Sequence, residues 1–126
     1  GSKEENGCGT FEGVTETALA KIRELGMTHI WLTGILRHAT QTGYDNAPAN
    51  SPAIVKGLAG SPYAITDYYD VDPDLAVNVD ERLQEFQALI ARCHDAGLIP
   101  MIDLIPNHVS RSYHCTADNI ISFGCE

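Results

Sequence analysis

The residues best suited to chemistry lie at the end of an apolar run near the carboxyl terminus. The run over residues 99–105 carries one acid, Asp103, and is followed by Asn107 and His108. An apolar run after a helix is typical of a strand that is buried on both faces of a parallel sheet. Because α/β folds bind ligands just beyond such strands, Asp103 and His108 stand out from the other acids and histidines.

Two helices and two strands are predicted to position these residues. Helical spacing predicts a helix over residues 15–25, and the strand over residues 29–32 has room to extend to Leu36. A second helix is predicted over residues 79–96, with its strand over residues 98–105. This order predicts an α/β fold whose parallel strands are joined by right-handed crossovers.

The second helix carries its own start signal. Asn78 is a good cap, and Glu81 stands three residues later in the capping-box position. Its buried stripe is predicted to consist of Leu83, Phe86, Ile90 and Cys93. Trp31 is predicted to be a core residue, and Pro100 is tolerable only near the start of its strand or on an unpaired side.

The connection over residues 37–75 is too long for a turn, and loops of this length are usually functional or disordered. Among its polar residues, Asp70, Asp72 and the nearby Asp74 are predicted to be a solvated run. The remaining histidines are predicted to be surface or strand-end residues; they are His29, His38, His94 and His114.

The composition limits the classes of partner. The 126 residues carry 17 acidic against 8 basic residues, a formal net charge of −9. This balance argues against nucleic acid, whose phosphates favour basic patches, and suits a neutral ligand such as a sugar. No apolar stretch reaches the roughly 20 residues that a membrane helix needs. Residues 1–10 are expected to be a lead-in, with Gly1 and Ser2 as a tag remnant.

The cysteines leave several alternatives open. Cys93 is expected to be a small core residue, whereas a bridge between Cys115 and Cys125 is allowed but not established by spacing; Cys8 has no assigned state. A zinc site from His108, His114, Cys115 and Cys125 is conceivable, although its spacing matches no common zinc pattern.

Three segments together resemble the alpha-amylase superfamily of glycoside hydrolases. They are residues 24–32, 61–73 and 103–108, and the resemblance extends over about residues 11–111. It implies a partial (β/α)8 TIM barrel: parallel strands 2 and 3 with their preceding helices, in an N-terminal fragment of a catalytic barrel of about 250 residues.

The resemblance also implies roles for individual residues. Tyr63 would form a platform for the sugar, His108 would donate a hydrogen bond to a sugar hydroxyl, and Asp103 would orient the site. Asp67 would support the tyrosine loop. Asn107 matches a position that ligates calcium in many members, so calcium is allowed in the parent protein although none is required.

The implied activity is retaining hydrolysis or transglycosylation of α-glucosidic bonds in starch, maltooligosaccharides or related α-glucans. The family's nucleophile, general acid and third essential aspartate follow strands that this chain does not match, so we expect no catalytic residue here and an inactive fragment. An alternative is a non-catalytic carbohydrate-binding or regulatory barrel of the same superfamily. A flavodoxin-like domain is weaker, because no glycine-rich loop follows a strand.

The resemblance further implies open sheet edges and an apolar face, so we expect the fragment to self-associate. The sequence does not indicate a cellular location.

Overall fold

A computed structural model describes residues 9–117 and the backbone of residues 123–124. The described residues form two compact units. The first contains the described residues up to Thr33 together with Asp74–Asp103, and the second contains Gly34–Pro73 and the described residues from Leu104 onward. The elements in chain order are α1 (Glu16–Glu24), β1 (His29–Leu32), β2 (Leu36–His38), β3 (Ile65–Val71), α2 (Arg82–Asp95), β4 (Ile99–Ile102), β5 (Ser112–Tyr113) and β6 (Phe123–Gly124), with short 3-10 helices at Pro73–Leu75 and Val79–Glu81.

The first unit contains the predicted parallel pair. Strands β1 and β4 pair in parallel, in a register that runs from His29 opposite Ile99 to Leu32 opposite Ile102. Pro100 is the second residue of β4, near the strand's start as the sequence requires. The second strand is shorter than predicted, because pairing ends at Ile102.

Both helices of the first unit end where the sequence predicts. Thr15 caps α1 by accepting a hydrogen bond from the Ala18 amide at 3.3 Å. Gly26 and Gly97 follow the two helices with φ angles of 88° and 75°. This left-handed conformation reverses the chain at a helix end, and glycine adopts it without the steric cost of a Cβ.

The capping box predicted before α2 is wrong in one residue, because Glu81 is not the glutamate that accepts from the backbone amides. Asn78 caps the 3-10 turn by accepting from the Asp80 amide, but the glutamate that reaches back is Glu85. Its two carboxylate oxygens accept from the amides of Val77 at 2.9 Å and Asn78 at 2.6 Å. The 3-10 turn over Val79–Glu81 delays the α-helix, which places Glu85 rather than Glu81 against these donors.

The buried face of α2 therefore differs from the predicted one. Its buried residues are Glu85, Leu89 and Cys93, whereas Leu83 is exposed. Cys93 is the only member of the predicted stripe that is fully buried, while Phe86 and Ile90 are partly buried. Phe86 packs against Phe11, with the ring centroids 5.4 Å apart.

One face of the β1–β4 pair is open. Trp31 and Met101 lie opposite each other in the register, and their side chains are 66% and 42% exposed. The prediction that Trp31 is a core residue is wrong for this chain, because an apolar strand residue is buried only where another layer covers its face.

The second unit is built on an antiparallel pair that the sequence did not predict. Strand β2 pairs with β3, with Leu36 opposite Val71 and His38 opposite Ile65. The register shifts on both sides of Arg37, so the pairing is irregular. The core of this unit is the buried cluster of Ile65, Tyr113 and Cys115, against which Leu36, Tyr68, Ile105, Val109 and Ala117 pack.

The acidic run predicted to be solvated is partly buried. Asp70 accepts from Arg37 at 3.2 Å, and Asp72 lies 3.4 Å from the Nε2 atom of His38. Asp70, Asp72 and His38 are buried, so the prediction of solvated acids is wrong at the two aspartates. His38 is the last residue of β2, as one of the two predicted placements has it, but it is not a surface residue. Pairing explains the burial, since acids enter a protein interior only with partners.

Among the described residues, no helix combines the length and apolarity needed to span a bilayer.

Candidate functional site

The turn that follows β4 presents Asn107 and His108 to solvent. Both residues are exposed, and the Asn107 side-chain nitrogen lies 2.6 Å from Nδ1 of His108. An amide nitrogen can only donate, so Nδ1 of the imidazole accepts and the ring proton is assigned to Nε2. His108 can therefore offer an N–H donor to a ligand from its other ring nitrogen.

Tyr63 lies in the turn that leads into β3. The amide of Ala64 donates to the Ser61 carbonyl at 3.0 Å, and the amide of Tyr63 lies 3.4 Å from the Ser61 hydroxyl. The phenol ring is 50% exposed. A half-exposed aromatic ring on a hydrogen-bonded turn can stack against the apolar face of a ligand.

Asp67 is completely buried in β3 and accepts three hydrogen bonds. One carboxylate oxygen accepts from the Tyr69 amide at 2.8 Å, and the other accepts from the amide and hydroxyl of Thr116 at 2.8 and 2.6 Å. Asp67 thus ties the chain beyond His108 to β3. Its predicted support of the tyrosine loop remains a prediction.

Backbone hydrogen bonds extend this attachment. The Ser110 amide donates to the Ile65 carbonyl at 2.7 Å, and the His114 amide donates to the Thr66 carbonyl at 2.9 Å. The chain from Ser110 to Thr116 therefore lies along β3. Strand β3 thereby positions the residues that follow the second unit's exposed turn.

Tyr68 contacts the exposed turn of this unit, although the sequence analysis does not single it out. Its hydroxyl donates to the carbonyl of Ile105 and lies 3.3 Å from the carbonyl of His108. The ring packs against Tyr113, with centroids 5.9 Å apart. The sequence signal was present, since Tyr68 belongs to the 61–73 segment, but its partners lie 37 and 40 residues away.

A hollow of about 380 Å³ lies in the same unit. It is lined by Ala53, Ile54, Ala64, Ser110 and Arg111. Ala64 follows Tyr63 directly, and Ser110 stands two residues after His108. Its volume falls in the range of small-molecule sites, and its described lining does not include Tyr63 or His108.

Asp103 lies in the first unit, at the end of its last segment. It is half-buried, and its Oδ1 atom accepts from the Trp31 indole N–H at 2.8 Å. The other carboxylate oxygen is shielded from solvent and has no hydrogen-bond partner in the described part of the chain. The sequence predicts Trp31 as a core residue and gives no sign of this contact, because the two residues are 72 positions apart.

Two buried groups have raised pKa values. Burial raises the pKa of the Tyr113 phenol, and the neighbouring Cys115 adds to this effect. Burial also raises the pKa of the Cys93 thiol, while the adjacent Arg92 guanidinium partly opposes the shift. These groups are held in their neutral forms and belong to the two cores rather than to an exposed site.

The residues described in the structure do not assemble a metal centre. They contain no group of three or more His, Cys, Asp and Glu side chains that could hold an ion. Asn107 offers one amide oxygen, whereas calcium takes six to eight. Cys8 and Cys125 lie outside the described residues. The bridge between Cys115 and Cys125, and the zinc site that would include Cys125, therefore stay untested.

Comparison with known families gives one match over nearly the whole chain. The sequence model described as "Alpha amylase, catalytic domain" matches residues 2–121. A solved structure of an alpha-amylase from Lactobacillus plantarum shares 33% identity and superposes with a TM-score of 0.62, covering 82% of this chain and 20% of that one.

The curated relatives include proteins named as glycosidases and proteins named as transporter subunits. A probable alpha-glucosidase of Rhizobium meliloti is 31% identical over 105 residues, which is 83% of this chain and 15% of that protein. The amino acid transporter heavy chain SLC3A1 of Rattus norvegicus is 30% identical over 107 residues, which is 85% of this chain and 12% of that protein. The chain thus spans a small part of the relatives it matches.

Proposed function

The chain belongs to the alpha-amylase catalytic-domain family, and we propose that it forms part of a retaining glycoside hydrolase or transglycosidase acting on α-glucosidic bonds. Its contribution is part of the sugar-binding site. In this proposal β1 and β4 are the second and third strands of a (β/α)8 barrel, with α1 and α2 before them. The substrates are starch, maltooligosaccharides or related α-glucans.

The observation that carries the proposal is the exposure of the His108 side chain and its contact with Asn107. The His108 side chain is exposed, and its Nδ1 atom lies 2.6 Å from the side-chain nitrogen of Asn107, which leaves Nε2 as the donor that we propose for a ligand. An N–H donor suits the oxygen of a sugar hydroxyl. Tyr63 in the same unit offers the exposed aromatic face that covers the C–H face of a pyranose.

The retaining reaction itself needs two carboxyl groups about 5–5.5 Å apart across the glycosidic bond. We assign neither role to a residue of this chain. Asp103 is a poor nucleophile candidate, since one of its oxygens accepts from Trp31 and the other is shielded from solvent. We propose that Asp103 orients the site and that the 126-residue chain binds sugar without cleaving it.

Sugar binding by the 126-residue chain tests this proposal. In an NMR titration with maltotetraose, the signals of Tyr63 and His108 should move, and Tyr63→Ala or His108→Ala should weaken binding. The loss of one hydrogen bond to a neutral group corresponds to about 0.5–1.5 kcal/mol of binding free energy. Tyr69→Ala is the matched control, because Tyr69 is an exposed tyrosine of β3.

Two outcomes would contradict the proposal. If maltotetraose moved no signal of Tyr63 or His108 at millimolar concentration, the sugar site would be wrongly assigned. If the chain released reducing sugar from maltotetraose after repurification, the proposal that it lacks the catalytic carboxylates would be wrong.

The second candidate function is a non-catalytic barrel that binds carbohydrate or serves a partner protein. The similarity to an amino acid transporter heavy chain favours it. The two candidates differ in the longer protein: an enzyme cleaves an activated aryl α-glucoside, whereas a non-catalytic barrel does not. Sugar binding by the present chain is compatible with either, so turnover by the full-length protein discriminates between them.

Calcium and self-association complete the proposal. Asn107 would contribute one oxygen to a calcium site whose remaining ligands come from elsewhere in a longer protein. The isolated chain would self-associate through the open face of the β1–β4 pair, where Trp31 and Met101 are exposed.

A further inference from the structure

We propose that Tyr68 is a positioning residue for His108: its hydroxyl holds the turn that carries the imidazole. This inference rests on the proposed sugar-binding role of His108. It assigns a function to a side chain that the resemblance left without one.

The geometry of the turn gives the reason. The turn runs from Ile105 through Pro106 and Asn107 to His108. Within the described chain, no backbone hydrogen bond closes it from His108 to Ile105. Instead, the Tyr68 hydroxyl contacts both ends of the turn. It donates to the Ile105 carbonyl and lies 3.3 Å from the His108 carbonyl. Turns without their own closing bond depend on such outside contacts to keep one conformation.

Ile105 packs against the buried cluster of this unit, but the other hydrogen bonds between this loop and β3 begin only after the turn. Ser110 and His114 donate backbone hydrogen bonds to Ile65 and Thr66, and Thr116 donates to Asp67. These contacts fix the chain from Ser110 onward, whereas β3 reaches the turn through Tyr68. Consecutive side chains of β3 thus hold two different parts of the same loop, Asp67 its far part and Tyr68 the turn.

Removal of the hydroxyl has a defined chemical consequence. The carbonyls of Ile105 and His108 can only accept, so phenylalanine in place of Tyr68 leaves them without this donor. The turn then samples other conformations, and the contact between Asn107 and His108 that fixes the imidazole tautomer is no longer held in place. The ring contact with Tyr113 requires no hydroxyl, so Tyr68→Phe should still fold.

The matched pair Tyr68→Phe and Tyr69→Phe tests the inference. Tyr69 is the next residue of β3, its ring is 58% exposed, and its hydroxyl has no hydrogen bond in the described part of the chain. The first readout is the 15N spectrum of the His108 imidazole without sugar, which reports its tautomer. Tyr68→Phe should shift it toward a mixture of tautomers, and Tyr69→Phe should leave it unchanged.

The second readout is maltotetraose affinity, which should fall about three- to tenfold in Tyr68→Phe and stay unchanged in Tyr69→Phe. Replacement of Tyr68 by 4-aminophenylalanine restores a donor and should recover both the imidazole spectrum and the affinity. A purely structural role for Tyr68 would lower the melting temperature without changing the imidazole spectrum or the affinity of the folded protein.

The two readouts separate the inference from the proposed function. An unchanged His108 spectrum in folded Tyr68→Phe overturns the positioning role, whether or not the chain binds sugar. A changed spectrum in a chain that does not bind maltotetraose supports the turn-holding role and overturns the sugar site.

Discussion

Each of the two units is stabilised internally by a different kind of contact. In the first, two helices and a parallel strand pair bury apolar side chains such as Leu19 and Leu89. In the second, side-chain carboxylates and hydroxyls hold irregular segments onto β3, with Asp67 and Tyr68 as the main examples. The comparison shows how one chain provides a scaffold from periodic elements and a candidate site from polar contacts between distant residues.

The difference follows from what each unit presents to solvent. A helix satisfies its backbone hydrogen bonds internally, so its packing needs only an apolar stripe. A loop that presents Asn107 and His108 has no such repeating pattern, and its backbone groups need partners from elsewhere. Near β2 and β3, buried side chains likewise meet backbone groups: Asp70 accepts from the Val71 amide at 2.8 Å, and Nδ1 of His38 lies 3.0 Å from the Leu36 carbonyl.

The largest effect is expected from Leu89→Ala in the first unit. Leu89 is almost fully buried, and truncation of such a leucine lowers the free energy of unfolding by about 2–5 kcal/mol. Leu83→Ala on the exposed side of α2 should cost less than about 1 kcal/mol. Urea denaturation measures both variants, and equal losses would mean that the stripe of α2 is assigned to the wrong face.

Asp67→Asn should have the next largest effect, about 2–3 kcal/mol of unfolding free energy, in the second unit. All three partners of the carboxylate are donors, so the amide nitrogen of asparagine would meet one of them. Glu85→Gln is the matched control in the first unit, where the carboxylate accepts from two amides. A larger loss in Glu85→Gln than in Asp67→Asn would refute the greater dependence of the second unit on polar contacts.

The open face of the first unit should govern self-association. Met101→Lys places a charge opposite Trp31, which makes burial of this face in a second copy costly. Sedimentation at micromolar concentration should show association of the unmodified chain and a monomer for Met101→Lys. A monomeric unmodified chain would remove the basis for this prediction.

The smallest effect is expected from alkaline pH. Burial raises the pKa of Tyr113 in the second unit and of Cys93 in the first, so folding favours the protonated form of each. This contribution to stability is complete below the unfolded-state pKa and is lost as pH rises through the folded-state value, at most about 1.4 kcal/mol per pH unit for each group.

Variants without these groups separate the contribution of each unit to the pH dependence of stability. Tyr113→Phe should flatten the decline in unfolding free energy above about pH 10, and Cys93→Ala the decline above about pH 8.5. If both variants kept the slope of the unmodified chain, these two groups would not be the ones that titrate on unfolding.

The sequence by itself determined the periodic part of the protein. The two helices, their terminal glycines, the parallel strand pair and membership of the alpha-amylase family all followed from local spacing and short motifs. These features depend on residues three or four positions apart, or on contiguous segments, which is why a single sequence reveals them.

Only the tertiary structure decided the polar contacts and the exposure of individual side chains. The pairing of β2 with β3 joins residues 27 or more positions apart, and Tyr68 reaches carbonyls 37 and 40 residues away. Composition cannot say whether Asp72 is solvated or meets His38, or whether Trp31 is covered. Burial and partnership are properties of the packed chain, because each depends on which distant residues come within contact distance.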